Sequence, residues 1–356
     1  MVSYFIQNLN QSKIFVAGNA KLNTKKRSEE QKNMEINYSD EELKKLKEGY
    51  LKQKQSLPLE AKIILTKKRI REWYDRYQGD VYVSFSGGKD STVLLDIARQ
   101  VYKEIPAVFC DPGLEYPELK EFVKTKENVI IIRPRMSFKD VIEKYGYPVV
   151  GKEQSHYISK VRNSKSEALI NKHLNGINKD GTNSQFVISK KWRYLVNAPF
   201  KISDKCCDIM KKQPFEKFEK ETGLKGIIGT LAEESSIRKR KYLRNGCNAF
   251  YEKRPLSAPL SFWTEQDILE YIYINKLPIA QVYGEVVKDS GLGFKEEYRT
   301  TLCKRTGCIY CMFGLSYDTT PNRFQMLKES HPTLHEYCMN ELGIRKVLKY
   351  MNFESE

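Results

Sequence analysis

Apolar positions along the chain change their period several times, and each change marks an element. Residues 1–35 show no clean period and are rich in Asn, Gln and Lys, which predicts a weakly ordered arm or short added elements. Ser39 with Glu42 makes a capping-box pattern ahead of EELKKLKEGYLKQKQ, a strongly polar helix. Pro58 opens a second helix, LEAKIILTKKRIREWYDRY, whose Ile63, Ile64, Ile70 and Trp73 are expected to face a core. Val81, Tyr82, Val83 and Phe85 form a short β-branched and aromatic run, a buried strand, after which Val93, Leu94, Leu95, Ile97 and Ala98 recur at helical spacing. AVFCDPGLEY (107–116) and VIIIRP (129–134) read as further parallel strands separated by the helical PELKEFVKTK, and GIIGT (226–230) adds another. Strand, helix, strand, helix, strand predicts an α/β fold with a doubly wound, mostly parallel sheet. Residues 151–200 carry little periodicity and read as an insertion near the site. From Pro255 onward the pattern is mainly helical, with Trp263 to Ile274 amphipathic and the stretch after Pro321 helical again. The expected organisation is an N-terminal arm and helices (1–75), a nucleotide-binding α/β domain (76–260) and a mainly helical region (261–356).

Between the first strand and its helix lies SFSGGKDST. Gly87 and Gly88 let the backbone adopt conformations closed to other residues and let an anion approach the amides of the helix start. Lys89 adds a charge, Ser86 and Ser91 add hydroxyls, and Asp90 either holds the turn or faces a metal such as Mg²⁺. A phosphate suits that set. The spacing is not that of a Walker loop.

The chain is globular in composition, 40% hydrophobic, and holds no run of about 18 apolar residues. Its start lacks the features of a signal peptide, so a cytoplasmic protein without a membrane partner is expected. Sixty-one Lys and Arg against 45 Asp and Glu leave +16, which draws polyanions and makes DNA or tRNA the expected partner. Two tracts interleave cations with aromatics: Lys190, Lys191, Arg193 with Trp192, and Arg238, Lys239, Arg240, Lys241 with Tyr242. Trp192 and Tyr242 are expected to stack on bases.

Eight cysteines in a reducing compartment are no disulfide framework. Cys206 and Cys207 are adjacent, and Cys308 and Cys311 form a C-x-x-C that closes a four-sulfur set for zinc or an iron–sulfur cluster. Cys303 complicates the count, because 303, 308 and 311 also have C-x₄-C-x₂-C spacing.

SGGKDS resembles the PP-loop of the ATP pyrophosphatase superfamily, with its adenine nucleotide alpha hydrolase-like fold. SFSGGKDST, CDPGLEYPE, KCC, GTLAEESSIR, PLSFWTEQDILEYI and GCIYC, in order over about two-thirds of the chain, are similar to the phosphoadenosine and adenosine phosphosulfate reductase family. The resemblance implies that Cys206, Cys207, Cys308 and Cys311 bind [4Fe–4S] and that Ser86, Gly87, Gly88, Lys89, Asp90 and Ser91 hold phosphates. It places Asp111 and Gly113 near the nucleotide, and Glu234, Ser235 and Arg238 near the anionic end of the substrate. Lys89 and Asp90 are the expected catalytic pair.

The sequence departs from that family in three places. The C-terminal stretch ELGIRKVLKYMNFESE has no cysteine for the family's nucleophile, and the nearest thiol is Cys338. The family's Asp-Thr-Gly is Asp111-Pro112-Gly113, and the arginine of its Gly-x-Arg is Leu231. The sequence therefore points first to a sulfurtransferase that binds ATP and adenylates a nucleic-acid acceptor with release of pyrophosphate, after which cluster-bound or persulfide sulfur displaces AMP, with a sulfur donor protein among the partners it allows. DNA phosphorothioation and some tRNA thiolation enzymes resemble this combination. The alternatives are sulfonucleotide reduction to sulfite, and a nucleotide-sensing, nucleic-acid-binding module without catalysis.

Overall fold

The computed structural model describes residues 39–289 and 296–354. The expected N-terminal arm lies outside the described residues. The chain divides into two units, residues 1–47 and 48–356. Of the first, residues 39–47 are described. There the Ser39 backbone N–H and hydroxyl both donate to Glu42, and the Glu42 N–H donates back to the Ser39 hydroxyl, which caps helix α1 (Asp40–Gln55).

Residues 48–356 begin in α1 and continue through α2 (Leu59–Arg76) into a six-stranded sheet. On α2 the buried face runs through Leu59, Lys62, Thr66, Ile70 and Trp73, spaced three or four apart. Ile63 is partly buried against the core, but Ile64, expected inside, is 54% exposed, because successive helical residues are turned by about 100°. Lys62 takes a buried place instead, since Asp267 meets its ammonium at 2.6 Å.

The sheet order is β3-β2-β1-β5-β7-β6, with β1 (Val81–Ser84), β2 (Ala107–Cys110), β3 (Val129–Ile132), β5 (Lys225–Ile228) and β7 (Leu256–Ser257) parallel and β6 (Asn248–Ala249) antiparallel at one edge. Helix α3 (Lys89–Val101) carries the chain from β1 to β2, and α4 (Pro117–Lys124) carries it on to β3. β5 returns to the other side of β1. This is the doubly wound α/β fold, and the turn after β1 lies where the winding reverses, the usual place for a ligand in such sheets. β3 is an edge strand, which leaves Ile130 and Ile131 39% and 50% exposed despite the apolar run.

A second core surrounds α5 (Phe138–Lys144), β4 (Val149–Val150) and α6 (Lys152–Asn163), with the C-terminal helices α10 (Arg323–Ser330), α11 (Pro332–Asn340) and α12 (Ile344–Tyr350). The stretch 151–200, expected to be unpatterned, thus contains a regular helix. Its buried Ser155, Tyr157, Ile158 and Val161 pack into this core. The region after Pro255 is also less helical than expected. Besides α9 (Glu265–Ile274) it holds β7, the β8–β9 hairpin (Val286–Asp289 and Glu297–Thr300) and β10 (Met312–Phe313), which pairs in parallel with β4. Among the described residues, no helix is long and apolar enough to cross a membrane.

Candidate functional site

The turn after β1 is held by its own polar side chains. The Ser91 hydroxyl accepts the Ser86 N–H (3.2 Å) and donates to the Gly88 carbonyl (2.9 Å), while the Ser86 hydroxyl accepts the Gly88 N–H (3.3 Å). Gly87 has φ +75°, and a Cβ there would meet Val123 Cγ2 at 3.1 Å and the Leu119 carbonyl at 3.2 Å. No side chain caps the start of α3 at Gly88; the Gly88 N–H meets the Ser86 hydroxyl and the Lys89 N–H the Tyr283 hydroxyl, contacts that an anion at this helix start would replace. Gly229 brings the end of β5 against this turn, for a Cβ there would lie 3.1 Å from the Asp90 carbonyl.

Lys89 is 4% exposed, and its ammonium donates to Glu265 Oε1 (3.0 Å) and to the Lys304 carbonyl (3.1 Å). Sequence reasoning missed Glu265, at the start of α9, because no local pattern marks a partner 176 residues away. Asp90 Oδ1 is buried and has no hydrogen-bond partner. Burial pushes the Asp90 carboxyl up, against the pull of Lys89, Arg305 and Arg238. Asp111, at the end of β2, accepts the Gly113 N–H (3.0 Å) and pairs with Lys120 (3.0 Å). Burial opposes its charge, but those bonds hold its carboxyl below the usual range.

Glu234 stands between two arginines: Arg305 donates to Oε1 at 2.9 Å, Arg238 pairs with Oε2, and the Leu231 N–H also reaches Oε2 at 2.9 Å. Ser235 caps α8 (Ser236–Asn245) by accepting the Arg238 N–H. Lys304, Arg305 and Thr306, none of them singled out in the sequence, thus reach the same place as the phosphate loop.

The two aromatics expected to stack on bases are both buried. Trp192 is 8% exposed and its ring stacks on Phe353, and Tyr242, also 8% exposed, accepts from Lys54. In each tract the aromatic faces a core and the cations face out, as in any amphipathic segment. Lys190, Lys191, Arg238, Arg240 and Lys241 are exposed, whereas Arg193 and Lys239 are half-buried.

Cys206, Cys207, Cys308 and Cys311 line one cavity of about 20 Å³, walled by Leu114, Phe138, Pro148, Met210, Tyr310 and Phe313, with Lys211 beside them. Cys303 is not in its lining. Cys206 and Cys207 begin the helical run into α7 (Gln213–Thr222), with a π-turn at Asp208–Lys212. Cys308 and Cys311 sit in a turn closed by the Cys311 N–H on the Cys308 carbonyl (3.0 Å), and the Ile309 N–H ties that turn to the Leu114 carbonyl. Arg323, paired with Asp318, donates to the Cys311 and Phe313 carbonyls at 3.1 and 3.0 Å. Burial pushes the Cys308 thiol up to about 12, with Glu115, Cys311 and Cys207 adding and Lys211 opposing. Burial also raises Cys206, and the other three thiols add to it.

One buried and three half-buried thiols, whose thiolates would repel one another, are a donor set that a cationic centre would relieve. Among the described residues, no three His, Cys, Asp or Glu side chains converge tightly enough for a single metal ion. A zinc ion at about 2.3 Å from each sulfur needs sulfurs roughly 3.8 Å apart. A cluster taking one thiolate at each iron spreads them wider. Cys338 is fully buried in α11, and burial pushes its thiol up to about 12, so it is no exposed nucleophile.

Two uncharacterized proteins of Methanocaldococcus jannaschii are 22% and 25% identical to this chain, over 74% and 60% of its length. Those matches span 49% and 35% of the relatives, so the chain covers about half their length or less. An adenosine 5′-phosphosulfate reductase of Geobacillus is 23% identical over 58% of this chain and 68% of its own. Among solved structures, phosphoadenylyl-sulfate reductase from Candida auris aligns over 69% of this chain and 91% of its own, at 16% identity and a TM-score of 0.35. The family model of the phosphoadenosine phosphosulfate reductase domain matches residues 80–180 and 152–313, from β1 to β10, and the chain belongs to that family.

Proposed function

We propose that the protein is an ATP-dependent sulfur-transfer enzyme with a [4Fe–4S] cluster on Cys206, Cys207, Cys308 and Cys311. ATP enters with its phosphates on the amides of Gly87, Gly88 and the first turn of α3. An acceptor oxygen attacks the α-phosphorus, the bond to the β-phosphate oxygen breaks, and pyrophosphate leaves against Lys89 and the helix start. A hydrosulfide released by a donor protein then bonds to the activated acceptor atom through its sulfur, and the adenylated oxygen leaves that atom as part of AMP.

The observation that carries the ATP reading is the orphaned Asp90 Oδ1, buried beside the phosphate loop. A buried carboxylate oxygen with no partner is costly and would repel a bare anion, but it suits the magnesium that accompanies ATP. Lys89, already neutralised by Glu265, would shift toward the departing pyrophosphate, where well-aimed donors are worth a few kcal/mol. The cluster, with a protein thiolate on each iron, would supply electrostatic and structural support.

A nucleic-acid acceptor is supported by the +16 charge and by α8, whose exposed Arg240 and Lys241 lead away from Glu234. Trp192 and Tyr242 add no stacking to it. The deciding experiment incubates anaerobic protein with MgATP, with and without tRNA or DNA. AMP and pyrophosphate are expected, and ADP as the main product overturns the reading. Polymer affinity should fall steeply between about 50 and 200 mM salt.

The named reductases favour a second reading, sulfonucleotide reduction. In it a thiolate attacks the sulfonyl sulfur and expels AMP, and an external dithiol then releases sulfite. With Cys338 buried, the thiol to test is Cys303, which burial raises while a backbone hydrogen bond from Arg305 and then the Lys89 charge pull it down in part.

A further inference from the structure

We infer that Arg305 is an anion-positioning residue of the nucleotide site and that it links this site to the cysteine centre. The inference rests on the proposed nucleotide reading. Leu231 is 1% exposed in the first core and its side chain offers no charge to the site. Its backbone N–H instead donates to Glu234, whose other oxygen holds Arg305. Two chain segments distant in sequence thereby meet on one carboxylate. The Arg305 side chain is 50% exposed, so with one N–H on Glu234 the rest of the guanidinium edge is open to a ligand.

The backbone on both sides of Arg305 is tied to the phosphate loop. Lys304 accepts the Lys89 ammonium through its carbonyl, and the Thr306 hydroxyl lies 2.6 Å from the Tyr283 hydroxyl, which in turn accepts the Lys89 N–H. The Arg305 carbonyl accepts the Cys303 thiol at 2.9 Å. A guanidinium so held is pre-organised for bidentate contact with a phosphate oxygen pair. An entering pyrophosphate competes with Glu234 for it, which loosens an existing ion pair rather than ordering a free side chain. Cys308 follows Arg305 by three residues in the chain. The segment that carries this arginine thus runs directly into the turn that holds two of the four thiols.

The test measures binding of inorganic pyrophosphate, and separately of magnesium with α,β-methylene-ATP, to the anaerobic iron-loaded protein by calorimetry. Arg305→Ala should weaken pyrophosphate about tenfold to a hundredfold, as for loss of a charge-assisted hydrogen bond. Arg305→Lys should recover part of the loss, and iron, sulfide and melting temperature should stay at the wild-type level in both. Removing iron by chelation should weaken pyrophosphate binding in the wild type and add little in Arg305→Ala. Equal affinity of wild type and Arg305→Ala overturns the inference, as does a loss that Arg305→Lys shares in full and that comes with lost iron. Arg305-dependent pyrophosphate binding without AMP formation leaves the inference standing and removes the proposed reaction. AMP formation with unchanged binding in Arg305→Ala does the reverse.

Discussion

The core around the phosphate loop is drawn largely from neighbours in the chain: α2, β1, α3, β2 and α4 follow one another, and β5 and α9 complete them. The core around the cysteines is spliced from 138–210 and 309–351, and its two stretches meet through a pair of two-residue strands, Met312 beside Val149 and Phe313 beside Val150. One side can condense as successive βαβ units, whereas the other waits for chain ends far apart to meet and must offset the larger loop-closure cost. A centre that binds all four thiols at once would staple that second core, because ligand binding to the folded state alone adds directly to its stability.

The sharpest way to break this contrast is Cys308→Ser. Iron should be lost altogether, with protease sensitivity rising around 309–351 while Val81–Val101 stays protected. Uniform protection in the iron-free protein would show that the second core needs no staple. On the other side, Lys89→Ala should lower AMP formation by roughly a hundredfold or more at unchanged iron content. A comparable loss of iron in that variant would mean that the two regions are not separable. Arg323→Ala removes the donor that holds the Cys311 and Phe313 carbonyls and leaves Asp318 with only the backbone N–H of residue 323. It should cost about 2–3 kcal/mol in denaturant unfolding, with faster iron loss in air. The smallest effect belongs to the first core's outer face: Ile64→Ser should change stability by no more than about 0.5 kcal/mol. Ile70→Ala, one face over and fully buried, should cost about 2–5 kcal/mol.

The same contrast explains what could be read from the sequence. The turn between Phe85 and Lys89 was legible because strand period, two glycines, a lysine and helix period occur within one short span. The alternation of strand and helix around it made the parallel, doubly wound sheet legible as well. The four thiols were legible only as spacing, and what excludes Cys303 from their cavity is three-dimensional. Strands of two residues such as β7 and β10 carry too few positions to show a period, so the region after Pro255 read as helix. Trp192 and Tyr242 misled because a row of cations with one aromatic has the same composition whether that aromatic faces solvent or a core. Glu265, Lys304 and Arg305 left no local trace, since what marks them is proximity to Lys89 and Glu234 in the folded chain.

The separation of the two cysteine pairs also has a consequence for synthesis. Cys207 and Cys308 lie about a hundred residues apart. At about 5–20 residues per second, the ribosome delivers the first pair roughly 5–20 seconds before the second. During that interval the adjacent thiols of Cys206 and Cys207 have no partners from the far strand and no β10 to close over them. Nascent protein therefore passes through a stage in which two adjacent thiols stand uncovered. Oxygen should then lower yield during translation far more than it harms the finished molecule.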